Sequence, residues 1–163
     1  MSPGKHAVAS GLIAAGTGVL FGSPAAGAAA FVAGTLIDLD HFFDYALNRL
    51  GPFGVRKFVR LCVQYRLDRF YLLAHSFELL IPFLVLAFWP GSPVWLKGAG
   101  IGVAVHMAMD LSGNGLRLSA YFLTYRICKG FDARSFVLRL PREALDYWGS
   151  FEAYMRGRPG RRM

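Results

Sequence analysis

The sequence predicts an all-α fold: a helical membrane bundle built from two apolar helical hairpins, followed by basic amphipathic C-terminal helices. Three observations predict it. The 163 residues are 55% hydrophobic, with a mean hydropathy of +0.39 and only 17% charged residues, whereas soluble domains carry about a quarter. No charged residue lies between Ala7 and Ile37. No segment of any length shows the two-residue alternation of a half-buried strand.

Residues 7–21 and 25–37 form the first predicted hairpin. Both segments are apolar and rich in Gly and Ala, and Gly22-Ser23-Pro24 between them is a turn signal. Small residues allow the close backbone approach that membrane helix pairs favour. Each segment is shorter than the about 20 residues that cross a bilayer. A re-entrant hairpin therefore fits as well as a spanning one.

Residues 72–89 and 94–111 form the second predicted hairpin. The first of them is the most hydrophobic segment of the chain, and Pro82 is expected to kink it. The turn between the two helices contains Pro90 and Pro93. A helical hairpin here supplies two membrane crossings.

Residues 116–129 and 141–156 are predicted to form basic, aromatic, amphipathic helices. Such helices lie in the membrane interface, and Trp148 and Tyr154 are among the expected anchors. We therefore divide the chain into a membrane-embedded metal-site region up to residue 115 and a basic interfacial tail, residues 116–163, of the same domain.

Basic residues crowd into the connection between the hairpins and into the tail. The positive-inside bias places both regions on the cytoplasmic side of a multi-pass protein of the inner (cytoplasmic) membrane. Membrane lipid is the expected partner, and nucleic acid is not. The cations of the connection that we expect to bind anionic head groups are Arg56, Lys57, Arg60, Arg66 and Arg69.

Histidines and carboxylates occur at corresponding points of the two hairpins, so that the fold would gather them at one end of the bundle. His106 and Asp110 are four residues apart on one helix, and His75 and Glu78 are three apart. Imidazole with carboxylate suits zinc, manganese, iron or magnesium, and we expect one or two divalent ions, zinc first among them. The predicted ligands are His6, Asp38, Asp40, His41, His75, His106 and Asp110.

The same residues predict a chemistry. A metal ion can lower the pKa of a bound water, and a second can hold a phosphate oxygen during hydrolysis of a phosphoester. Asp40 or Glu78 is the expected general base or bridging ligand. Cys62 and Cys128 are widely spaced and give no sign of a thiolate site.

Simpler interpretations exist for each group. His6 alone could be a solvated terminal residue, the Asp38–His41 cluster could be a helix boundary, and Glu78 could pair with Arg69. The metal could also be structural, or the polar cluster could lock helices together by hydrogen bonds. A third hypothesis is an ion carrier with carboxylates inside the membrane.

The order of these motifs resembles the YdjM-like family of membrane-bound metal-dependent hydrolases, over about residues 1–115. That family has an N-terminal His, a PDxDH motif, an HRGxTHS motif and a later HxxxD. Here they correspond to His6, to Ile37-Asp38-Leu39-Asp40-His41, to Ala74-His75-Ser76 and to His106-x-x-x-Asp110. The resemblance implies metal binding by these residues. It also implies phosphoester or lipid substrates, because the family is distantly similar to zinc-dependent phospholipase C.

The chain departs from the family pattern at two points. Ile37 replaces the Pro of PDxDH. The first His, the Arg and the Thr of HRGxTHS are absent from the segment that ends in His75 and Ser76. Glu78 is the candidate replacement for the lost ligand, and Arg66 or Arg69 for the lost positive charge.

Overall fold

A computed structural model describes residues 3–48 and 51–157, and helix is the predominant structure in these ranges. No strand forms within them; Arg69–Asp132 and Leu116–Val137 make isolated bridges. The predicted all-α class is confirmed. The helices are α1 (Pro3–Leu20), α2 (Pro24–Leu36), α3 (His41–Leu47), α4 (Val55–Val63), α5 (Phe77–Ala87), α6 (Val94–Gly113), α7 (Leu123–Cys128), α8 (Arg142–Trp148) and α9 (Phe151–Met155).

The chain divides into two compact units. Unit 1 comprises Met1–Asp40 and Leu73–Gly113, and therefore contains α1, α2, α5 and α6. Unit 2 comprises His41–Leu72 and Asn114–Met163, with the remaining helices.

Within unit 1, a tight turn joins α1 to α2. Ser23 caps α2, since its Oγ accepts a hydrogen bond from Ala26 N at 3.3 Å, and Pro24 occupies the first helical turn. A Cβ placed on Gly27 would lie 2.7 Å from the carbonyl oxygen of Ala14 and 3.3 Å from Gly18 Cα. The small residues of this pair thus bring the two backbones into contact, as the sequence predicts.

The tightest packing in unit 1 lies between α2 and α6. A Cβ on Gly98 would overlap the carbonyl of Ala26, and one on Gly102, a turn later, would overlap the carbonyl of Ala30. Both alanines are fully buried. Only glycine permits this approach, so the spacing of two glycines along α6 sets its register against α2.

The outer faces of unit 1 are apolar. Large side chains that are more than half exposed occur on α1, α5 and the turn after α5: Val8, Leu12, Val19, Leu20, Leu79, Ile81, Val85, Leu86 and Trp89. By length and composition alone, one helical stretch among the described residues, Pro24–Leu47, could cross a membrane.

Unit 2 is built differently, from short helices tied by side-chain hydrogen bonds to the backbone. Asp44 Oδ1 accepts from the N–H groups of Tyr71 and Leu72 at 2.7 and 3.2 Å. Arg126 Nη1 donates to the carbonyls of the same two residues at 2.7 and 2.6 Å. Asp44 and Arg126 are fully buried, and Leu72 has a positive φ of 44°. We call this arrangement the Asp44–Arg126 clamp.

The tail differs from its prediction. The helix expected at 141–156 is interrupted, because Gly149 has a φ of 79° and Ser150 then caps α9. Trp148 and Tyr154, expected as membrane anchors, are buried instead. The indole of Trp148 donates to Gln64 O at 2.9 Å, and burial raises the pKa of Tyr154.

Candidate metal centre

The candidate centre lies within unit 1 and draws on three separate segments. Asp38 belongs to a short 3-10 turn, Ile37–Asp40, that directly follows α2. His75 lies in the connection just before α5, and His106 and Asp110 lie one turn apart near the end of α6. Their convergence follows from the glycine-mediated packing of α2 on α6.

Four side-chain atoms meet at the centre: Asp38 Oδ1, His75 Nε2, His106 Nε2 and Asp110 Oδ2. The two Nε2 atoms are 3.2 Å apart. His75 Nε2 is 3.6 Å from Asp38 Oδ1 and 3.3 Å from Asp110 Oδ2. His106 Nε2 is 3.3 Å from Asp38 Oδ1 and 3.5 Å from Asp110 Oδ2. These five separations span only 3.2–3.6 Å.

These separations match the edges of a tetrahedron around a small metal ion. Zinc bonds to nitrogen and oxygen of about 2.0–2.1 Å give neighbouring ligands about 3.3–3.4 Å apart. An octahedral ion with similar bonds requires neighbours about 2.9 Å apart and opposite ligands about 4.1 Å apart. The Asp38, His75, His106 and Asp110 group can therefore hold a metal ion, and its edges favour four-fold coordination.

His75 is oriented by Asp40. Asp40 Oδ2 lies 2.9 Å from His75 Nδ1 and accepts hydrogen bonds from the N–H groups of Ala74 and His75 at 2.9 and 3.3 Å. The Nδ1–H of His75 therefore points at Asp40, which leaves Nε2 facing the centre. Carboxylates hold metal-binding histidines in this way. The structure thus places Asp40 behind His75.

His106 is oriented by a backbone carbonyl. Its Nδ1 lies 2.7 Å from Gly34 O, which can only accept, so Nδ1 carries the proton. The Nε2 atoms of His75 and His106 then face each other beside two carboxylates. Two carboxylate oxygens this close together need a positive charge beside them, which either a metal ion or protons on the imidazoles can supply.

Protons are the alternative to a metal at these atoms. Burial disfavours a charged imidazole at His75, but hydrogen bonds with Asp110, Asp38 and Asp40 outweigh burial and hold its pKa well above the ordinary value. Metal binding would displace that proton.

His6 supports the centre from α1. It is buried, and its Nε2 lies 3.0 Å from Asp110 Oδ1, the carboxylate oxygen that faces away from the centre. Its ring stacks on His106, with centroids 4.2 Å apart and planes at 21°. His6 thus fixes two of the four ligand side chains by contact.

The centre is closed except at Asp38. The other three side chains are no more than 5% exposed, whereas the Asp38 side chain is 34% exposed. Of the four side chains, solvent therefore reaches Asp38 most readily.

Two of the predicted site residues, His41 and Glu78, are not among the four. His41 belongs to unit 2, where its Nδ1 is 3.6 Å from Asp44 Oδ2. Glu78 lies half-buried in the first turn of α5. His75 precedes Ser76, the N-cap of α5, so a helical spacing of three residues does not relate His75 to Glu78. Sequence reasoning missed the carbonyl of Gly34, because a backbone acceptor leaves no signal in a sequence.

Comparisons with protein-family models, curated proteins and solved structures return no match for this chain. The centre is therefore interpreted from its own geometry.

Proposed function

We propose that this protein is a membrane-bound, metal-dependent hydrolase of the YdjM-like kind, acting on a phosphoester or lipid-like substrate at the cytoplasmic face of the inner membrane. The observation that carries the proposal is a set of four atoms, from two imidazoles and two carboxylates, in which five of the six separations are 3.2–3.6 Å and all lie within 4.8 Å.

Zinc is the proposed metal. It binds imidazole nitrogen and carboxylate oxygen readily, and it adopts the four-fold geometry that the separations favour. The buried hydrogen bonds behind His75, His106 and Asp110 support this choice, because such outer contacts raise the affinity of the ligands.

Bound zinc would supply Lewis acidity and a water of lowered pKa. The chain's own residues supply the rest. Asp40 and Gly34 hold the two imidazoles in one tautomer, and the buried ligands exclude bulk water. Asp38, partly exposed on a short turn, is the ligand best able to yield its position to a substrate. Glu78 remains the candidate general base.

Attachment to a membrane is supported by the apolar outer faces of unit 1. Val19 on α1 is 84% exposed, and Leu86 on α5 is 62% exposed. Contiguous apolar surface of this kind is costly in water and favourable in lipid. The proposal places α1, α2, α5 and α6 in the bilayer.

A structural metal site is the second candidate function. Four protein ligands complete a tetrahedron, and structural zinc sites are closed in this way, whereas catalytic sites keep one position open. In that case the metal stabilises the helix packing and no substrate is turned over.

Elemental analysis of the purified full chain tests the metal site. We expect about one zinc per chain in the wild type and in Glu143→Ala/Glu152→Ala, a matched control at two exposed positions of unit 2, since a closed tetrahedral site holds one ion. The His106→Ala/Asp110→Ala variant should contain none. Absence of any transition metal from the wild type would refute the site.

Turnover separates the two candidates. Zinc-loaded protein in detergent or lipid should hydrolyse members of a panel of phosphodiesters, phospholipids and carboxylic esters, and Asp38→Asn should lose that activity. Bound zinc with no hydrolysis across the panel would favour the structural site.

A further inference from the structure

Helices α3 and α4 of unit 2, with the segment between them, expose aromatic and aliphatic side chains next to cations. Phe42 and Phe53 are 41% and 51% exposed, and Val55 is 67% exposed. Phe42 stacks on Phe58 at 4.6 Å between centroids and lies 5.2 Å from Phe53. With Arg56, Lys57 and Arg60 of α4, these residues form what we call the aromatic–basic surface.

The backbone of this region holds Phe53 outward. The hydroxyl of Tyr45, a buried residue, donates to the carbonyl of Pro52 at 2.7 Å. The Tyr45 ring meets Phe53 edge-on, with centroids 5.5 Å apart and planes at 76°. The exposure of Phe53 is therefore built into the packing.

The charge of the aromatic–basic surface has one sign. Arg56, Lys57 and Arg60 are all exposed. Between Tyr45 and Leu67 the sequence contains five basic residues and no acidic one. Apolar side chains bordered by cations complement a layer of anionic head groups above acyl chains.

The other two cations that the sequence predicts to bind head groups are Arg66 and Arg69, and both make contacts within unit 2. The Arg66 guanidinium lies over the ring of Tyr147, 4.3 Å from its centroid. The backbone N–H and carbonyl of Arg69 bond to the side chain of Asn48 at 3.1 and 2.9 Å, and a hydrogen bond with Tyr71 raises the pKa of Arg69. Lys57 of α4 also lies over a ring, that of Tyr45, 5.7 Å from its centroid. Arg66 and Arg69 differ from Arg56, Lys57 and Arg60 in that they lie outside α4.

We propose that the aromatic–basic surface docks onto the anionic face of the bilayer. Phe42, Phe53 and Val55 enter the interfacial layer, while the three cations of α4 bind lipid phosphates. This inference rests on the membrane attachment in the proposed function. It adds a second lipid contact, made by unit 2, and it narrows the five cations that the sequence suggests to three.

Site-specific fluorescence in the full chain tests the docking. A bimane label is attached at Val55→Cys, with Cys62 and Cys128 replaced by Ser, and the protein is reconstituted in vesicles of phosphatidylcholine with or without phosphatidylglycerol. With phosphatidylglycerol present, lipids brominated on the acyl chains should quench the label, and aqueous iodide should not. The control label is attached at Leu138→Cys, which replaces a residue of similar exposure (54%). Aqueous iodide should quench this label, and brominated lipids should not.

Charge variants identify the cations. In the Val55→Cys background, Arg56→Gln/Lys57→Gln/Arg60→Gln should lower the docking equilibrium constant on the order of a hundredfold, since each cation near an anionic surface contributes about fivefold. The matched variant Lys129→Gln/Arg139→Gln/Arg142→Gln removes the same charge from other exposed positions of unit 2. This variant should change the docking equilibrium constant little.

The inference would be overturned by iodide quenching at position 55 in anionic vesicles, by equal lipid quenching with and without phosphatidylglycerol, or by equal loss in both charge variants. A label shielded from iodide but untouched by brominated lipid would indicate a protein partner and would also overturn it. Zinc measured on the same samples keeps the proposals separate: zinc without lipid quenching refutes docking alone, and docking without zinc refutes the metal site alone.

Discussion

Unit 1 and unit 2 differ in how their backbone segments are held together. In unit 1, glycines such as Gly98 and Gly102 bring helices into direct contact, and polar side chains gather at the metal centre. In unit 2, buried polar side chains such as Asp44 and Arg126 bind the backbone of an irregular segment. The two ways of packing can be distinguished by amino-acid composition alone. Unit 1 is rich in small residues, and unit 2 is rich in basic and aromatic residues.

The largest effect is expected from a substitution that forces α2 and α6 apart, because the packing of unit 1 depends on their close contact. Gly102→Ala would place a Cβ against the carbonyl of Ala30, so we expect a loss of about 3 kcal/mol or more in the free energy of unfolding. Zinc should be lost with it, because His106 lies one turn further along α6. Thermal unfolding and metal content measure both effects, and a variant as stable as the wild type would contradict the contact.

The next largest effect is expected in unit 2. Arg126→Met keeps the length of the side chain but leaves the carbonyls of Tyr71 and Leu72 without their donor, at a cost of about 1–3 kcal/mol for each buried group. Hydrogen exchange should show faster exchange at the N–H groups of Tyr71 and Leu72. Arg139→Met, at an exposed position, is the control and should leave exchange unchanged.

A smaller effect is expected behind the metal centre. Asp40→Asn keeps an acceptor oxygen but removes the negative charge beside His75 Nδ1, so zinc affinity should fall about 10- to 100-fold. Competition with a chelator of known affinity measures it. Unchanged affinity would mean that Asp40 only supports the backbone of Ala74 and His75.

The smallest effect is expected at a glycine of unit 1 that does not pack against another helix, and it distinguishes such glycines from those that do. A Cβ on Gly11, in the middle of α1, meets no atom within 4 Å. Gly11→Ala should therefore stabilise unit 1 by about 0.5–1 kcal/mol, since alanine favours helix over glycine. The melting temperature should rise slightly with zinc content unchanged, and a fall would show that Gly11 contacts another molecule.

The sequence predicts the long helices well, because an uninterrupted apolar run leaves few alternatives. The segments expected at 25–37 and 94–111 agree closely with α2 and α6. The sequence does not predict elements whose structure depends on contacts with residues far away in the sequence. Helix α4 went unpredicted, since its nine residues depend on packing such as Phe58 against Phe42. The break at Gly149 depends on a single backbone angle.

The candidate centre shows the same division. The spacing of His106 and Asp110 predicts a shared helix face, and the structure brings both to the cluster. The role of Asp40 could not be predicted, because it is set by hydrogen bonds to Ala74 and His75, 34 and 35 residues away. Sequence spacing orders residues on one helix, whereas contacts between segments decide which oxygen faces the metal.

The order of the ligands along the chain has a consequence for biogenesis. Asp38 is synthesised first, and the centre stays incomplete until Asp110 leaves the ribosome 72 residues later. The carboxylates after α2 lack the imidazoles of the finished centre until His75 and His106 follow, 37 and 68 residues after Asp38. A metal ion bound by all four side chains would therefore report that α6 has been synthesised and has packed against α2.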